Sequence, residues 1–182
     1  EATLEAVVAL RKLLSIAHKP PIDDVIATGA VPAMVMLLQH PMPKMQFEAA
    51  WCLTNIASGT SDQCQQVVAH NAVPALVSLL RSESLDVSEQ SVWALGNIAG
   101  DCPRLRDLVL HAGALEPLFA LIESTAQHGK MSPLRNAVWC APPARARAAT
   151  PPRPRRARRE RRARSSPAAA ARRARRAPRS VG

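Results

Sequence analysis

Two stretches of the sequence place a tryptophan four residues before an asparagine. The first pair is Trp51 and Asn55, in AWCLTNIASG, and the second is Trp93 and Asn97, in VWALGNIAGD, forty-two residues later. Residues four apart lie side by side on one face of an α-helix. An indole attracts a cation and packs against the stem of a lysine, and an asparagine amide both donates to and accepts from a peptide backbone. A single pair of this kind is usually a packing feature, but its recurrence in register indicates a repeated functional feature rather than core packing.

The forty-two-residue spacing extends beyond the two pairs. Three segments that join a Gly or Asn to a nearby Pro begin at Gly29, Asn71 and Gly113, and an apolar run follows each of them. Each unit predicts a short helix, a second helix after the Pro, and a longer third helix that carries the Trp and Asn. Three-helix repeats of about 40 to 47 residues are typical of armadillo and HEAT solenoids. We therefore predict an all-α, right-handed solenoid whose third helices line a concave groove.

The second unit is punctuated clearly enough to predict its helix bounds. Asn71 tolerates the left-handed conformation needed past a helix end, and Pro74 suits the first turn of the next helix. We expect the second helix of this unit over residues 75–80 and the third over residues 88–99, ending at Gly100. Ser88 or Asp86 is the expected N-cap.

The charge of +10 is concentrated at one end of the chain. Residues 1–140 hold nine Lys and Arg and thirteen Asp and Glu, whereas residues 141–182 hold fifteen Arg and a single acid, Glu160. The last 42 residues also contain seven prolines and no helical apolar periodicity, which is typical of disorder. We predict a solenoid over 1–140, with about three repeats and part of a fourth, and a disordered Arg/Ala/Pro-rich tail over 141–182.

Three interpretations of the tail remain open. It interrupts a helix motif and has the composition of GC-rich sequence, which favours a mistranslated or non-coding-derived segment. Its arginines could bind nucleic acid phosphates without base selectivity, since no aromatic residue is available to stack on bases. It could also occupy the groove of its own chain, although it contains no lysine.

The sequence carries no sign of metal, catalytic or membrane chemistry. The cysteines, at positions 52, 64, 102 and 140, form no CxxC pair and have no histidine at ligand spacing, so no metal is predicted. Neither a nucleophile motif nor a phosphate-binding glycine loop occurs, and neither an enzyme nor a cofactor is predicted. Without a signal peptide or an apolar run long enough to span a bilayer, we expect a soluble intracellular protein with reduced thiols and no membrane partner.

The repeat motifs resemble those of a known family. The stretches QFEAAWCLTNIASGTS, SEQSVWALGNIAGD and LRNAVW are similar to the second, third and beginning of the fourth armadillo repeats of importin-alpha (karyopherin-alpha). The stretches RKLLS and PPIDDVIATGAVPAMV are similar to the first repeat, so the resemblance covers about residues 1–140. In that family these repeats form the major site for basic nuclear localisation signals.

The resemblance implies a set of peptide-binding residues: Trp51, Asn55, Gly59, Gln90, Trp93, Asn97, Asp101 and Trp139. Within this set, Asp101 corresponds to the acid that forms a salt bridge with the key lysine of the signal. Gln90 and Gly59 correspond to positions that contribute polar and backbone contacts. The chain departs from the family pattern at Pro143, which replaces the third asparagine, at Cys64, which replaces a groove threonine, and at Ala33 and Met36, which replace an Arg and a Glu of the first repeat.

The expected function is that of a nuclear-import adaptor fragment that binds cargo proteins through their Lys- and Arg-rich localisation signals. The expected locations are the cytoplasm and the nucleus. Importin-beta is a partner in this family, but we expect the N-terminal basic segment that binds it to be absent, and we therefore expect weakened cargo binding and no autonomous transport. The alternatives are a generic armadillo scaffold for another peptide, and nucleic-acid binding through the tail. The incomplete last repeat also predicts fraying over residues 115–138, because solenoids need capping units.

Overall fold

The computed structural model describes residues 1–127, which form helices joined by short turns and contain no strand. The helices are α1 Ala2–Leu14, α2 Ile22–Ala27, α3 Ala30–Leu37, α4 Pro43–Ala57, α5 Ser61–Ala69, α6 Ala72–Leu79, α7 Leu85–Asp101, α8 Pro103–His111 and α9 Leu115–Gln127. The predicted all-helical fold is confirmed. The predictions for Trp139, Pro143, the boundary at 140 and the basic tail lie outside the described residues.

The helices group into the predicted three-helix units. Helices α2, α3 and α4 form one unit and α5, α6 and α7 the next, while α1 packs on α4 as the long third helix of a preceding unit would. Helices α8 and α9 correspond to the first and second helices of a further unit. The long helices α4 and α7 pack against each other, so their exposed faces are adjacent.

The three punctuation segments adopt the same turn. Gly29, Asn71 and Gly113 all have positive φ, at 74°, 61° and 82° respectively. An asparagine accepts this left-handed conformation at lower cost than most residues, and a glycine adopts it freely. The sequence prediction for Asn71 is thus confirmed, and the forty-two-residue spacing marks the turn between the first and second helices of each unit.

Two predicted helix bounds in the second unit are wrong. Helix α6 begins at Ala72, so Pro74 lies inside its first turn, and α7 spans Leu85–Asp101 instead of residues 88–99. Helix α7 continues through Gly100 and ends only before Cys102. Cys102 is extended, with φ −155° and ψ 162°, and it directly precedes Pro103. A proline disfavours the helical conformation of the residue before it.

The predicted caps of α7 are also wrong. Its N-cap is Ser84, which makes no side-chain capping bond. Ser88 is fully buried, and its hydroxyl donates to the carbonyl of Leu85 at 2.9 Å. Asp86 lies within the first turn, where a carboxylate favours the positive end of the helix dipole without capping it.

A single apolar core runs through the described units. It includes side chains from every helix, and its fully buried members lie where neighbouring units meet: Leu38, Leu53, Ile56, Leu76, Ile98 and Leu105. Helix α9 carries the exposed apolar side chains of Leu115 and Phe119. Stacking of neighbours is what stabilises a solenoid unit, so fraying at this helix stays a prediction.

Candidate functional site

The two Trp–Asn pairs lie on adjacent long helices, as predicted. Trp51 and Asn55 are on α4, and Trp93 and Asn97 are on α7. The indole of Trp93 is 48% exposed, while the other three residues are half-buried. The packing of α4 on α7 brings the pairs together in one surface, which is called the groove surface below.

Each asparagine is held by the preceding long helix. The Nδ2 of Asn97 donates to the carbonyl oxygen of Thr54 on α4 at 3.0 Å, and the Nδ2 of Asn55 donates to Ser15 Oγ, just past α1, at 3.1 Å. These bonds fix which side of each amide faces its neighbour. The asparagines are therefore oriented by the stacking of one unit on the next.

The two tryptophans have different surroundings. The ring of Phe47 meets the Trp51 ring edge-on, with centroids 5.4 Å apart and an interplanar angle of 73°. The guanidinium of Arg11 lies 4.6 Å from the Trp51 ring centroid, and its Nε donates to Glu48 Oε2 at 2.8 Å. In the described part of the chain, no cation lies over Trp93.

Gln90 is buried on α7 and bonded to α4. Its side chain is buried, and its Nε2 donates to Thr54 Oγ1 at 2.8 Å. The same hydroxyl donates to the carbonyl of Ala50 within α4. Gln90 therefore joins α7 to α4, and its direct contact with a peptide stays a prediction.

Asp101 ends α7 and is hydrogen-bonded to α5, the first helix of its own unit. Its Oδ1 accepts a hydrogen bond of 2.7 Å from the hydroxyl of Ser61, the first residue of α5. Because the carboxylate is half-exposed, it keeps access to solvent and to a cation. Sequence patterns did not identify Ser61, although its position at a helix start was readable from the Thr60 and Gln63 capping box.

Gly59 has a steric role that the sequence did not reveal. A Cβ added to it would lie 2.0 Å from Gln63 Oε1. That oxygen accepts from the backbone N–H of Thr60 at 2.9 Å, and Gln63 Nε2 donates to Asp23 Oδ1 at 2.7 Å. The missing side chain of Gly59 thus leaves room for the cap that starts α5.

Two of the positions that depart from the family pattern lie on helices other than α4 and α7. Cys64 is buried in α5, so its thiol belongs to the core. Met36, on the short helix α3, is the most exposed large apolar side chain in residues 1–127, at 73%.

The thiol of Cys52, next to Trp51, is held neutral. Burial raises its pKa from 9.0 to about 12, the carboxylate of Glu48 adds to this, and the Arg11 guanidinium opposes it. Among residues 1–127, no group of three or more His, Cys, Asp or Glu side chains could hold a metal ion. No helix in the same range is long and apolar enough to cross a membrane.

Comparison with known proteins identifies the repeats. The family model described as Armadillo/beta-catenin-like repeat matches residues 18–58 and 60–100, which are the units α2–α4 and α5–α7. Designed armadillo repeat proteins have the same fold. One, in complex with peptide (KR)4, has a TM-score of 0.68 and 33% identity over 76% of this chain and 56% of that chain. The described residues are therefore an armadillo-repeat solenoid.

Three quarters of the chain also resembles importin subunit alpha proteins. Importin subunit alpha-1b of Oryza sativa subsp. japonica is 57% identical over 137 residues, which are 75% of this chain and 25% of that protein. Importin subunit alpha-3 of Caenorhabditis elegans is 59% identical over 75% of this chain and 26% of that protein. The resemblance to importin-alpha is confirmed over three quarters of the chain, and the chain spans about a quarter of the length of these relatives.

Proposed function

We propose that the groove surface binds Lys- and Arg-rich nuclear localisation signals of cargo proteins, and that the chain is part of a nuclear-import adaptor. The observation that carries this proposal is the pair of Trp–Asn sets on the stacked helices α4 and α7, with the amide of Asn97 fixed to Thr54. The relatives named importin subunit alpha support the same reading. The adaptor would act in the cytoplasm and the nucleus and would do no chemistry of its own.

Trp93 supplies the recognition of a basic side chain. Its exposed indole offers both an apolar wall for the methylenes of a lysine or arginine and an attractive face for the charge. Exposed cation–π contacts of this kind contribute about 0.5–1 kcal/mol each. A peptide with several basic residues would therefore gain affinity at each tryptophan that it reaches.

The asparagines would bind the backbone of the peptide. Because Asn55 and Asn97 are already held by the preceding long helix, little side-chain entropy would be lost when a peptide binds. An amide that pairs with backbone groups does not depend on the side chains of the ligand. Asn55 and Asn97 would thus fix an extended peptide while the tryptophans select its basic residues.

Asp101 would supply a negative partner for one lysine of the signal. Residues 1–127 hold seven Lys and Arg and thirteen Asp and Glu, so the solenoid as a whole also attracts a basic peptide. The designed armadillo protein in complex with (KR)4 supports an alternating basic peptide as a ligand for this fold. The partners proposed are cargo proteins, and importin-beta stays a prediction.

The test is a titration of a fluorescent lysine-rich signal peptide with the full chain and its variants. Asp101→Asn should weaken binding by about threefold to tenfold, because a charge-assisted hydrogen bond contributes more than a neutral one. Asp101→Lys should weaken it further by repulsion.

The matched control is Asp86→Asn, which removes the same charge from the opposite end of α7, fifteen residues or about 22 Å away along the helix. This control should bind like wild type. Equal affinities for the wild type, Asp101→Lys and Asp86→Asn would exclude the proposed site.

A further inference from the structure

We propose that the two tryptophans select different properties of the ligand. Arg11 of the chain itself occupies a face of Trp51, so Trp51 selects the aliphatic stem of a ligand residue and Trp93 selects its positive charge. This inference rests on the proposed function, and it assigns Arg11 and Glu48 as the residues that set the specificity of the Trp51 site.

The Arg11 stack is a fixed part of the structure. Its Nε donates to Glu48 Oε2 at 2.8 Å, and its Nη2 approaches Glu48 Oε1 at 3.5 Å. The exposed fraction of the side chain is 18% for Arg11 and 7% for Glu48. A carboxylate buried to this degree requires a compensating charge, so Arg11 is held in place over the Trp51 ring.

The Trp51 ring is also held from another direction. Phe47 lies edge-on to it, with the two ring centroids 5.4 Å apart. Trp51 is accordingly half-buried, whereas Trp93 is 48% exposed. A ligand could therefore reach only the part of the Trp51 ring that Phe47 and Arg11 leave open. That ring already interacts with the guanidinium of Arg11.

The repeat register explains why Trp93 differs. Glu48 and Gln90 are forty-two residues apart and occupy equivalent positions in α4 and α7, three residues before their tryptophans. Glu48 binds the guanidinium of Arg11 on α1, whereas the neutral Gln90 donates to the hydroxyl of Thr54 on α4. An amide needs no cationic partner, so the second unit holds none beside Trp93 in the described residues.

The physical consequence is a loss of charge selectivity at Trp51. A second cation would meet an indole whose π electrons are already polarised toward Arg11, and it would also be repelled by that guanidinium. The pairing with Glu48 reduces the repulsion but does not restore the polarised ring. Burial of ligand methylenes against Trp51 is unaffected, because it depends on apolar area.

The test measures the cost of removing one ligand charge at a time. A lysine-rich peptide and a series with single Lys→Met replacements are titrated against the full-length wild type, Trp51→Leu and Trp93→Leu. Double-mutant cycles with single Lys→Ala replacements, which remove the aliphatic stem as well as the charge, identify which peptide position couples to each tryptophan. In the wild type, Lys→Met should weaken binding about threefold to fivefold at the position coupled to Trp93 and less than about twofold at the position coupled to Trp51.

The variant Arg11→Met/Glu48→Gln then removes the stacked cation without leaving a buried carboxylate unpaired. In this variant the cost of Lys→Met at the Trp51-coupled position should rise to about threefold to fivefold. The cost at the Trp93-coupled position should stay as in wild type, which serves as an internal check that the groove is intact. The matched control is Lys12→Met/Glu5→Gln, two exposed residues of α1, and it should change neither cost.

The outcomes separate the inference from the proposed function. Equal Lys→Met costs at the two positions in wild type, or unchanged costs in Arg11→Met/Glu48→Gln, would overturn the inference while peptide binding itself stands. A wild-type chain that binds none of the peptides would overturn both.

Discussion

Gly59→Ala is expected to destabilise the fold, although a glycine-to-alanine change in a compatible backbone normally does the opposite. The new Cβ would lie 2.0 Å from Gln63 Oε1, 3.1 Å from Gln63 Cδ and 3.2 Å from the Cδ1 of Ile22. Gln63 has a flexible side chain, so it would move away. It would then lose its bond from the Thr60 N–H, at 2.9 Å, and its bond to Asp23, at 2.7 Å.

The expected size follows from two opposing effects. Each lost hydrogen bond costs about 0.5–1.5 kcal/mol of unfolding free energy, with the lower half of that range applying to exposed groups. Alanine also lowers the conformational entropy of the unfolded chain, which raises the unfolding free energy by about 0.4–1 kcal/mol. Gly59→Ala should therefore lower the unfolding free energy by about 1 kcal/mol.

Urea unfolding followed by circular dichroism measures the change, and Gly100→Ala is the matched control. A Cβ at Gly100 would meet nothing within 4 Å, and the residue lies within α7. This control should gain about 0.5–1 kcal/mol from helix propensity. In a Gln63→Ala background Gly59→Ala should cost nothing, because the obstructing oxygen is gone. A Gly59→Ala chain as stable as Gly100→Ala would refute the steric argument.

Three further predictions concern side chains around the groove surface. Arg11→Met should destabilise by about 3 kcal/mol, because it leaves the buried carboxylate of Glu48 unpaired, and adding Glu48→Gln should restore most of the loss in the same urea assay. The pKa of Cys52 is raised from 9.0 to about 12, so the unfolded thiol ionises first as pH rises. The contribution of Cys52 to stability should be complete below pH 9 and disappear as the pH approaches about 12, and the slope of stability against pH in this window should flatten in Cys52→Ala. Ser61→Ala should weaken binding of the lysine-rich peptide about twofold to threefold by releasing the carboxylate of Asp101, and it should have no further effect once Asp101→Asn is present.

The period of the repeat was readable from the sequence because it depends on local signals. The left-handed turn at Asn71 and the four-residue spacing of Trp93 and Asn97 are properties of a few adjacent residues. The end of α7 was harder to place. Gly100 gave a local stop signal, but the extended conformation of Cys102 before Pro103 is what terminates the helix.

The contacts that shape the candidate site were not readable in the same way. The Ser61 bond to Asp101 and the Asn97 bond to Thr54 join residues 40 and 43 positions apart. Such bonds depend on helix packing, within one unit for Ser61 and between two units for Asn97, and on side-chain rotamers. Neither quantity follows from the period of a single unit, so Arg11, Glu48 and Ser61 were missed.

Comparing the repeat units with each other would have pointed to Glu48 from the sequence alone. Aligning the units by their forty-two-residue period places Glu48 against Gln90. Both side chains reach the preceding long helix from the same position, one to Arg11 and the other to Thr54. The geometry of the contact is shared, while its charge is not. Since the tryptophan three residues later is the same in both units, the two Trp–Asn surfaces differ in the buried polar residue that precedes each tryptophan. The difference in ligand selectivity that we propose for the two repeats therefore follows from a buried position, while the tryptophan and asparagine on their surfaces are the same.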